Sequence, residues 1–402
     1  MGKPMSGTEP FYFEGTISPS KSELIRALVL KSYSPELKIF GASQCDDVRA
    51  MSRAVDQIER RDLRNTFDLG DSGLALRLVL ARLSRCQGEF KVTGSTRLMD
   101  RPHGPLIDAL SQLGGHLHLE KSQIHLTSDG NWKSSVAVDV SSSSQFASAL
   151  VLNAWELGQA LQIELIGEPR SLGYLDMSIA LARSAGMEIA SKGRSLEIPA
   201  GQKISAQLLR AETDMSTAFS VAALAVVNGS AKFFDFREHS LQPDHAFLQI
   251  IRELGARAVL ERGTLRVDRA PKLRAIDKDL SGTPDLFPVL SVLCGLAEGR
   301  SRLYGAPHLI HKESNRIASS ARLLRLLGRD VQELSDGLVI DGRKFDAADH
   351  LRARAFFDPD QDHRQVMAAY VARVAGFSIE IQDAEAVRKS APEFLEWVRA
   401  YA

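Results

Sequence analysis

Two series of segments recur along this 402-residue chain with a period close to seventy residues. Such a period confines the fold to one built from stacked or closed repeats. One kind of segment begins with small polar or charged residues and continues as an apolar run. Its copies are residues 21–35, 71–88, 143–158, 214–229, 285–299 and 362–376. The last five run to Gly88, Gly158, Gly229, Gly299 and Gly376, spaced 70, 71, 70 and 77 residues apart. The second kind is an amphipathic helix that stops at a glycine and leads into a strand-like stretch. It covers 105–113, 175–185, 245–254 and 318–327, followed by Gly114, Gly186, Gly255 and Gly328. These glycines lie 72, 69 and 73 residues apart. A glycine just past a helix supplies the left-handed cap. The stretches beyond it, 187–189, 256–259 and 330–332, alternate as strands do.

The chain therefore reads as six units of about seventy residues, each with two helices and several strands. The first helix type is apolar nearly all round, as at 220–227 and 289–296, and a helix of that kind is buried on every side. The second has a polar face and covers the outside. Sheets thus pack outside buried helices, with further helices beyond them. The length is too great for one ordinary core, and six units divide most simply three and three into two domains. Apolar residues make up 44% and charged residues 25%, the balance of a soluble globular protein. Fifty basic against fifty acidic residues gives zero net charge, without the basic excess of a nucleic-acid binder. The apolar runs are too short to span a bilayer, and residues 1–10 show no signal-peptide core. Cys45, Cys86 and Cys294 have no paired spacing and read as buried reduced thiols in a cytoplasmic protein. No His, Cys or carboxylate cluster argues for a metal.

The starts of the six buried helices share a character: Lys21-Ser22, Asp71-Ser72-Gly73, Ser143-Ser144-Gln145, Thr213-Asp214-Met215-Ser216, Pro284-Asp285 and Asp362-His363-Arg364. Each alone is an ordinary cap. Taken together in parallel helices, they would bring three N-termini out on one side of each domain, and two facing domains would line a cleft with six positive dipole ends. Such ends favour phosphates and carboxylates. Basic residues near the same junctions, among them Lys21, Arg26, Arg77, Arg101, Lys312, Arg316, Arg364 and Lys389, point the same way.

These junctions also carry a resemblance. Ser20-Lys21-Ser22 with Arg26-Ala27-Leu28 resembles the opening motif of the EPSP synthases (3-phosphoshikimate 1-carboxyvinyltransferases). Asp71 to Arg77 resembles their Gly-containing loop, and Arg101-Pro102 with Leu106 to Leu110 their Arg-Pro segment. Ser143-Ser144-Gln145-Phe146, Pro284-Asp285, Lys312 to Arg316, Asp362-His363-Arg364 and Lys389-Ser390-Ala391-Pro392 are similar to further elements of the family. They occur in family order from residue 20 to residue 392.

The resemblance implies a two-domain α/β (α+β) protein, each domain an inside-out barrel of three β-α-β-α-β-β repeats around buried parallel helices. One domain would hold residues 1–19 and 213–402 and the other 20–212, with the active site in the interdomain cleft. It implies transfer of the enolpyruvyl group of phosphoenolpyruvate to the 5-hydroxyl of shikimate 3-phosphate, releasing phosphate through a tetrahedral intermediate, without metal or cofactor. By the same resemblance, Lys21, Asp285 and Glu313 are catalytic. Phosphoenolpyruvate meets Lys21, Gly73, Arg101, Gln145, Arg316, Arg364 and Lys389. Shikimate 3-phosphate meets Ser22, Arg26, Ser143, Ser144, Gln145, Ser171, Tyr174, Asp285 and Lys312. The partners are these two small molecules, not nucleic acid or membrane. A cytoplasmic monomer is expected, since each domain can bury its own helices.

Asp71, Leu74, Leu172-Gly173, His308 and Ile310 depart from the family pattern, whereas the residues that the resemblance assigns to phosphoenolpyruvate are all intact. A paralogue with another hydroxyl acceptor therefore stays open beside the shikimate reading, as does a non-catalytic anion-binding homologue. A UDP-N-acetylglucosamine enolpyruvyl transferase usually has a Cys before its Arg-Pro motif. Here 94–100 contains none, although Asp100 is a carboxylate that could replace it. RNA 3′-phosphate cyclases share the fold, but zero net charge and the set from Lys21 to Lys389 argue against that reading.

Overall fold

The computed structural model describes residues 9–168, 171–350 and 354–401; the terminal stretch 1–8, examined above for a signal peptide, lies outside them. The chain divides into two compact units, Met1–Ser18 with Thr213–Ala402, and Pro19–Glu212. Each has its own hydrophobic core.

In both units the recurring element is a parallel strand pair joined through a buried helix, as parallel pairing requires a long crossover. In Pro19–Glu212, Phe67–Asp68 and Gln87–Thr93 flank the helix Gly73–Leu83, and Ser135–Asp139 and Leu161–Ile166 flank Gln145–Leu152. Two antiparallel strands complete each four-stranded sheet. In the other unit the same order recurs around Phe287–Leu296 and around Met215–Asn228.

At two places the strand that precedes a helix in sequence pairs in the other unit's sheet set. Phe11–Gly15, upstream of the helix Lys21–Lys31, pairs with Gly229–Phe233. Leu208–Arg210, upstream of Met215–Asn228, pairs with Lys38–Phe40. The repeat set of each unit is thus completed by a strand from the opposite end of its own chain segments.

The buried helices follow from composition. In Met215–Asn228 twelve side chains are buried, and Asp214 caps the start by accepting from Thr217 N at 2.9 Å. Leu, Val and Phe fill all faces of Phe287–Leu296. The four glycines of the second series adopt left-handed φ values: +111° at Gly114, +106° at Gly186, +93° at Gly255 and +67° at Gly328. The amide after each donates to the carbonyl five residues back: Gly115 to Leu110, Met187 to Ala182, Ala256 to Ile251 and Arg329 to Leu324. That pattern closes a helix end only with a residue that tolerates positive φ.

Several expectations need correction. In the first series only Gly376 is a left-handed helix cap, at φ +115°. The helices before Gly88, Gly158 and Gly299 end earlier, at Leu83, Leu152 and Leu296. Gly229 is held by a close approach instead, for a Cβ there would lie 1.9 Å from the Phe11 carbonyl oxygen. Two of the strands after the capping glycines begin late, at Ala190 and Ala258, whereas Asp330–Leu334 starts where expected. Two repeats lack the antiparallel pair among the described residues. After the helix Asp46–Glu59 the chain turns through Arg61, at φ 57°, straight to the next sheet. After Ile379–Ile381 a helical segment takes the hairpin's place, laying Trp397 against Phe13 at 5.2 Å and Tyr401 against Phe11 at 6.1 Å. Cys45 and Cys294 are buried, but Cys86 is only half-buried. Among the described residues no helix is long and apolar enough to cross a membrane.

Gly229→Ala is expected to push the strand Phe11–Gly15 off its sheet, at a cost of about 3 kcal/mol or more. Gly282→Ala, where no atom lies within 4 Å of the added Cβ, should change stability by less than about 0.5 kcal/mol. Urea unfolding of both variants measures the contrast, and hydrogen exchange at Tyr12 and Glu14 should rise only in the first.

Candidate functional site

In the unit Met1–Ser18 with Thr213–Ala402, the starts of two buried helices and one outer helix carry a dense charge cluster. Asp285 lies in the 3-10 turn Pro284–Leu286 that leads into Phe287–Leu296. Asp362 caps His363–Ala375, accepting from Arg364 N at 2.9 Å. Arg316 opens the helix Arg316–Leu326, behind the Asn315 cap. Its guanidinium is 1% exposed and bridges three carboxylates. Nε donates to Asp362 at 2.8 Å, one terminal nitrogen to Asp285 at 2.7 Å, and the other to Glu313 at 3.0 Å. The second oxygen of Asp285 accepts from Arg364 at 2.7 Å. Lys312 lies 3.9 Å from Asp285, and Lys389 lies 3.9 Å from Glu313.

An isolated buried charge is expensive, whereas paired and hydrogen-bonded charges can be kept. Burial alone would raise the Asp285 pKa, but Arg364, Lys312 and Arg316 outweigh it and hold the carboxyl well below its usual range. Burial alone would lower the Arg316 pKa, but Asp362, Glu313 and Asp285 outweigh it and hold the guanidinium above its usual value. The structure thus brings together Asp285, Lys312, Glu313, Arg316, Arg364 and Lys389. Asp362 was visible only as part of a motif. Its complete burial and its bonds to Arg316, Ser314 and Arg364 show that it fixes the cluster.

In Pro19–Glu212 the candidate residues fall into three neighbourhoods. Lys21, in the first turn of its helix, is mostly buried and pairs with Asp47 at 3.0 Å. No motif marked Asp47; the only signal was an acidic first turn in the helix Asp46–Glu59. Gly73 opens a helix where a Cβ would lie 2.7 Å from an Arg101 guanidinium nitrogen. Arg77, one turn further on, donates to the Gln145 side chain and lies over the Phe146 ring at 4.9 Å. Around the third helix start, Ser144 Oγ donates to the Ser171 carbonyl at 2.9 Å and Ser143 Oγ accepts from Gln145 N at 3.2 Å. Ser171 adopts a left-handed φ of 53°, a strained setting for a residue other than glycine.

Arg26 is placed differently from an outward-facing ligand. It is 1% exposed and donates to Ser178 Oγ at 2.7 Å, to the Ser22 carbonyl at 2.9 Å and to the Tyr174 carbonyl at 3.4 Å. Burial lowers its pKa to about 10. Arg26 therefore joins Ser22 and Tyr174 through their backbones and sets their positions from beneath. Of the departures from the family pattern, Asp71 accepts from Ser95 Oγ. Leu74 and His308 are buried, whereas Leu172 and Ile310 are exposed.

A fold of repeated β-α-β crossovers, with basic groups and buried carboxylates gathered at helix starts, defines an α/β protein that handles anions and has groups suited to proton transfer. The comparisons with known proteins narrow that class. The profile of the family EPSP synthase (3-phosphoshikimate 1-carboxyvinyltransferase) matches residues 36–398. The 3-phosphoshikimate 1-carboxyvinyltransferase of Methanothrix thermoacetophila is 35% identical, over 95% of this chain and 94% of that one. The namesake from Syntrophobacter fumaroxidans is 33% identical over 82% and 78%. The EPSP synthase structure from Acinetobacter baumannii superposes with a TM-score of 0.75 at 20% identity, covering 98% of this chain and 97% of that one. The enolpyruvyl transferase NikO from Streptomyces tendae gives 0.74 at 13% identity, covering 98% and 95%. The chain belongs to the EPSP synthase family.

His103 gives a test of the basic neighbourhood around Gly73. It is buried, its Nε2 sits 2.8 Å from the Leu98 carbonyl, and burial with Arg77 and Arg101 lowers its pKa to about 4. The folded pKa lies below the unfolded value near 6.5, so the fold favours the neutral ring. Stability from this group is full above pH about 6.5 and falls as the pH drops toward 4. The loss should approach about 3 kcal/mol at most. In His103→Gln, urea unfolding should show a correspondingly flatter profile between pH 6.5 and 4.

Proposed function

We propose that the chain transfers the enolpyruvyl group of phosphoenolpyruvate to the 5-hydroxyl of shikimate 3-phosphate, releasing phosphate. The observation that carries this reading is Asp285, an ionised carboxylate held between two arginines that suit an anionic donor. Family membership supports the reaction, and the set Lys21, Gly73, Arg101, Gln145, Arg316, Arg364 and Lys389, five of them cationic, supports the donor. Ser22, Ser143, Ser144, Gln145, Ser171, Tyr174, Asp285 and Lys312 serve the acceptor, with Arg26 positioning Ser22 and Tyr174 from below. The reading takes each unit as a threefold inside-out barrel and the working form as a cytoplasmic monomer.

The chemistry follows as addition and elimination. Asp285 accepts the proton of the 5-hydroxyl as its oxygen bonds to C2 of phosphoenolpyruvate. Glu313 or Lys21 delivers a proton to C3, giving a methyl group. The intermediate then returns a proton from that methyl, the C2–O bond to phosphate breaks, and the vinyl ether is left on the acceptor. Cations at the phosphate stabilise the charge on the leaving group.

The lowered Asp285 pKa bears on its role as a base. A carboxylate held well below its usual pKa is a weak base. When the donor's carboxylate and phosphate engage Arg316 and Arg364, those guanidinium groups are drawn from Asp285 and its proton affinity rises. The base is weak in the free protein and stronger once the donor is bound.

Purified protein mixed with both substrates should release phosphate, and Asp285→Asn should lower the rate about 10²- to 10⁴-fold while leaving the fold intact by circular dichroism. Folded wild-type protein that releases none from shikimate 3-phosphate would sink the acceptor assignment. The pH profiles test the coupling. The acid limb of kcat/KM, which reports the free enzyme, should show no Asp285 ionisation above pH about 4. The acid limb of kcat, which reports the complex, should lie at higher pH.

A further inference from the structure

The hairpin formed by His116–Glu120 and Gln123–Asp129 lies outside all the groups discussed above. Residues two apart on a strand share a face, so His118 and Glu120 point the same way. His125 stands directly opposite His118 in the antiparallel register. The alternation of His118 and Glu120 was visible in the sequence, but their meeting with His125 depends on the hairpin register, so the sequence alone showed no such cluster.

The geometry points to a divalent-metal site on this face, with His118, Glu120 and His125 as ligands and zinc as the fitting ion. Nε2 of His118 is 3.2 Å from one oxygen of Glu120, and Nε2 of His125 is 3.2 Å from the other. One ligand atom from each of the three lies within 4.8 Å of the others. Bonds of about 2.0–2.1 Å in a tetrahedron separate ligand atoms by about 3.3 Å; each His–Glu spacing of 3.2 Å is near that value. The two imidazoles stack at 4.9 Å with an 8° interplanar angle, and rotation of the exposed His118 ring brings both Nε2 lone pairs onto one ion.

Two neutral imidazoles and one carboxylate form a donor set that zinc accepts, with a fourth position left for water. The strand pairing fixes the backbone positions of the three ligands, so only their side chains need ordering on binding. The open side faces a cavity of about 670 Å³ whose walls include Arg61, Arg64, Lys91, His118 and His125. There is room in it for the water or a small anion that completes the shell.

The test uses the full chain after treatment with a chelator. Zinc chloride is titrated in by calorimetry, and cobalt chloride is followed by its visible ligand-field bands. The expected result is one zinc per chain, with tetrahedral-type cobalt bands. His118→Asn, Glu120→Gln and His125→Asn should each weaken zinc about 10-fold or more. Phosphate release from phosphoenolpyruvate and shikimate 3-phosphate checks that these variants stay folded. Failure of wild-type protein to bind zinc, or binding that survives all three substitutions, as at the half-buried Cys86, overturns the proposal. So would octahedral cobalt bands unchanged in the variants.

Discussion

The buried guanidinium of Arg316 is the interaction on which one unit's functional chemistry depends. It joins the start of the outer helix Arg316–Leu326 to the starts of two buried helices through Asp285 and Asp362, and it also holds Glu313. Without it, the fully buried Asp362 carboxylate would keep the Ser314 hydroxyl, the Arg364 amide and the His363 ring 3.6 Å away. A lone buried charge costs several kcal/mol, and removing one member of a buried pair commonly costs 3–5 kcal/mol. The four cations Lys312, Arg316, Arg364 and Lys389 outnumber the three carboxylates Asp285, Glu313 and Asp362 by one. The cluster is therefore balanced enough to be buried and still cationic enough to receive an anion.

The scaffold explains why those groups can be placed so firmly. Four of the buried helices, starting at Gly73, Gln145, Phe287 and His363, connect two parallel strands, so each start is fixed by the strand before it and each end by the strand after it. Glycine makes the tightest of these junctions possible: at Gly229 the Phe11 backbone occupies the space of a side chain. The two exchanged strands, Phe11–Gly15 and Leu208–Arg210, complete sheets whose helices lie far away in sequence. In each unit one repeat is therefore closed by a strand from the far end of that unit's own segments.

Much of this was legible in the sequence because local rules and the global fold agree there. The four capping glycines were readable because positive φ strongly selects glycine. The buried helices were readable because an all-round apolar run has no other stable place. Boundaries set by tertiary packing were not: Gly88, Gly158 and Gly299 sit beyond helices that end early, and Ala190 and Ala258 begin their strands late. The direction of Arg26 was hidden too, since an arginine in a motif looks the same whether its head meets solvent or the Tyr174 carbonyl. Asp47 and the His118, Glu120 and His125 set were invisible for a related reason, because nothing local records which side chain another element will bring opposite.

The two units also handle charge differently, and that difference bears on the proposed chemistry. Around Asp285 and Glu313 the carboxylates are packed against cations, which suits proton transfer that must be switched by what binds. Around Gly73 and Gln145 the named partners of Arg77 are a neutral amide and an aromatic face, and Arg101 approaches a glycine with no side chain to crowd it. Lys21, in the same unit, is paired with Asp47 at 3.0 Å, and it is also the residue there assigned a proton-transfer role. In both units, then, the residues proposed to move protons are each held by an opposite charge.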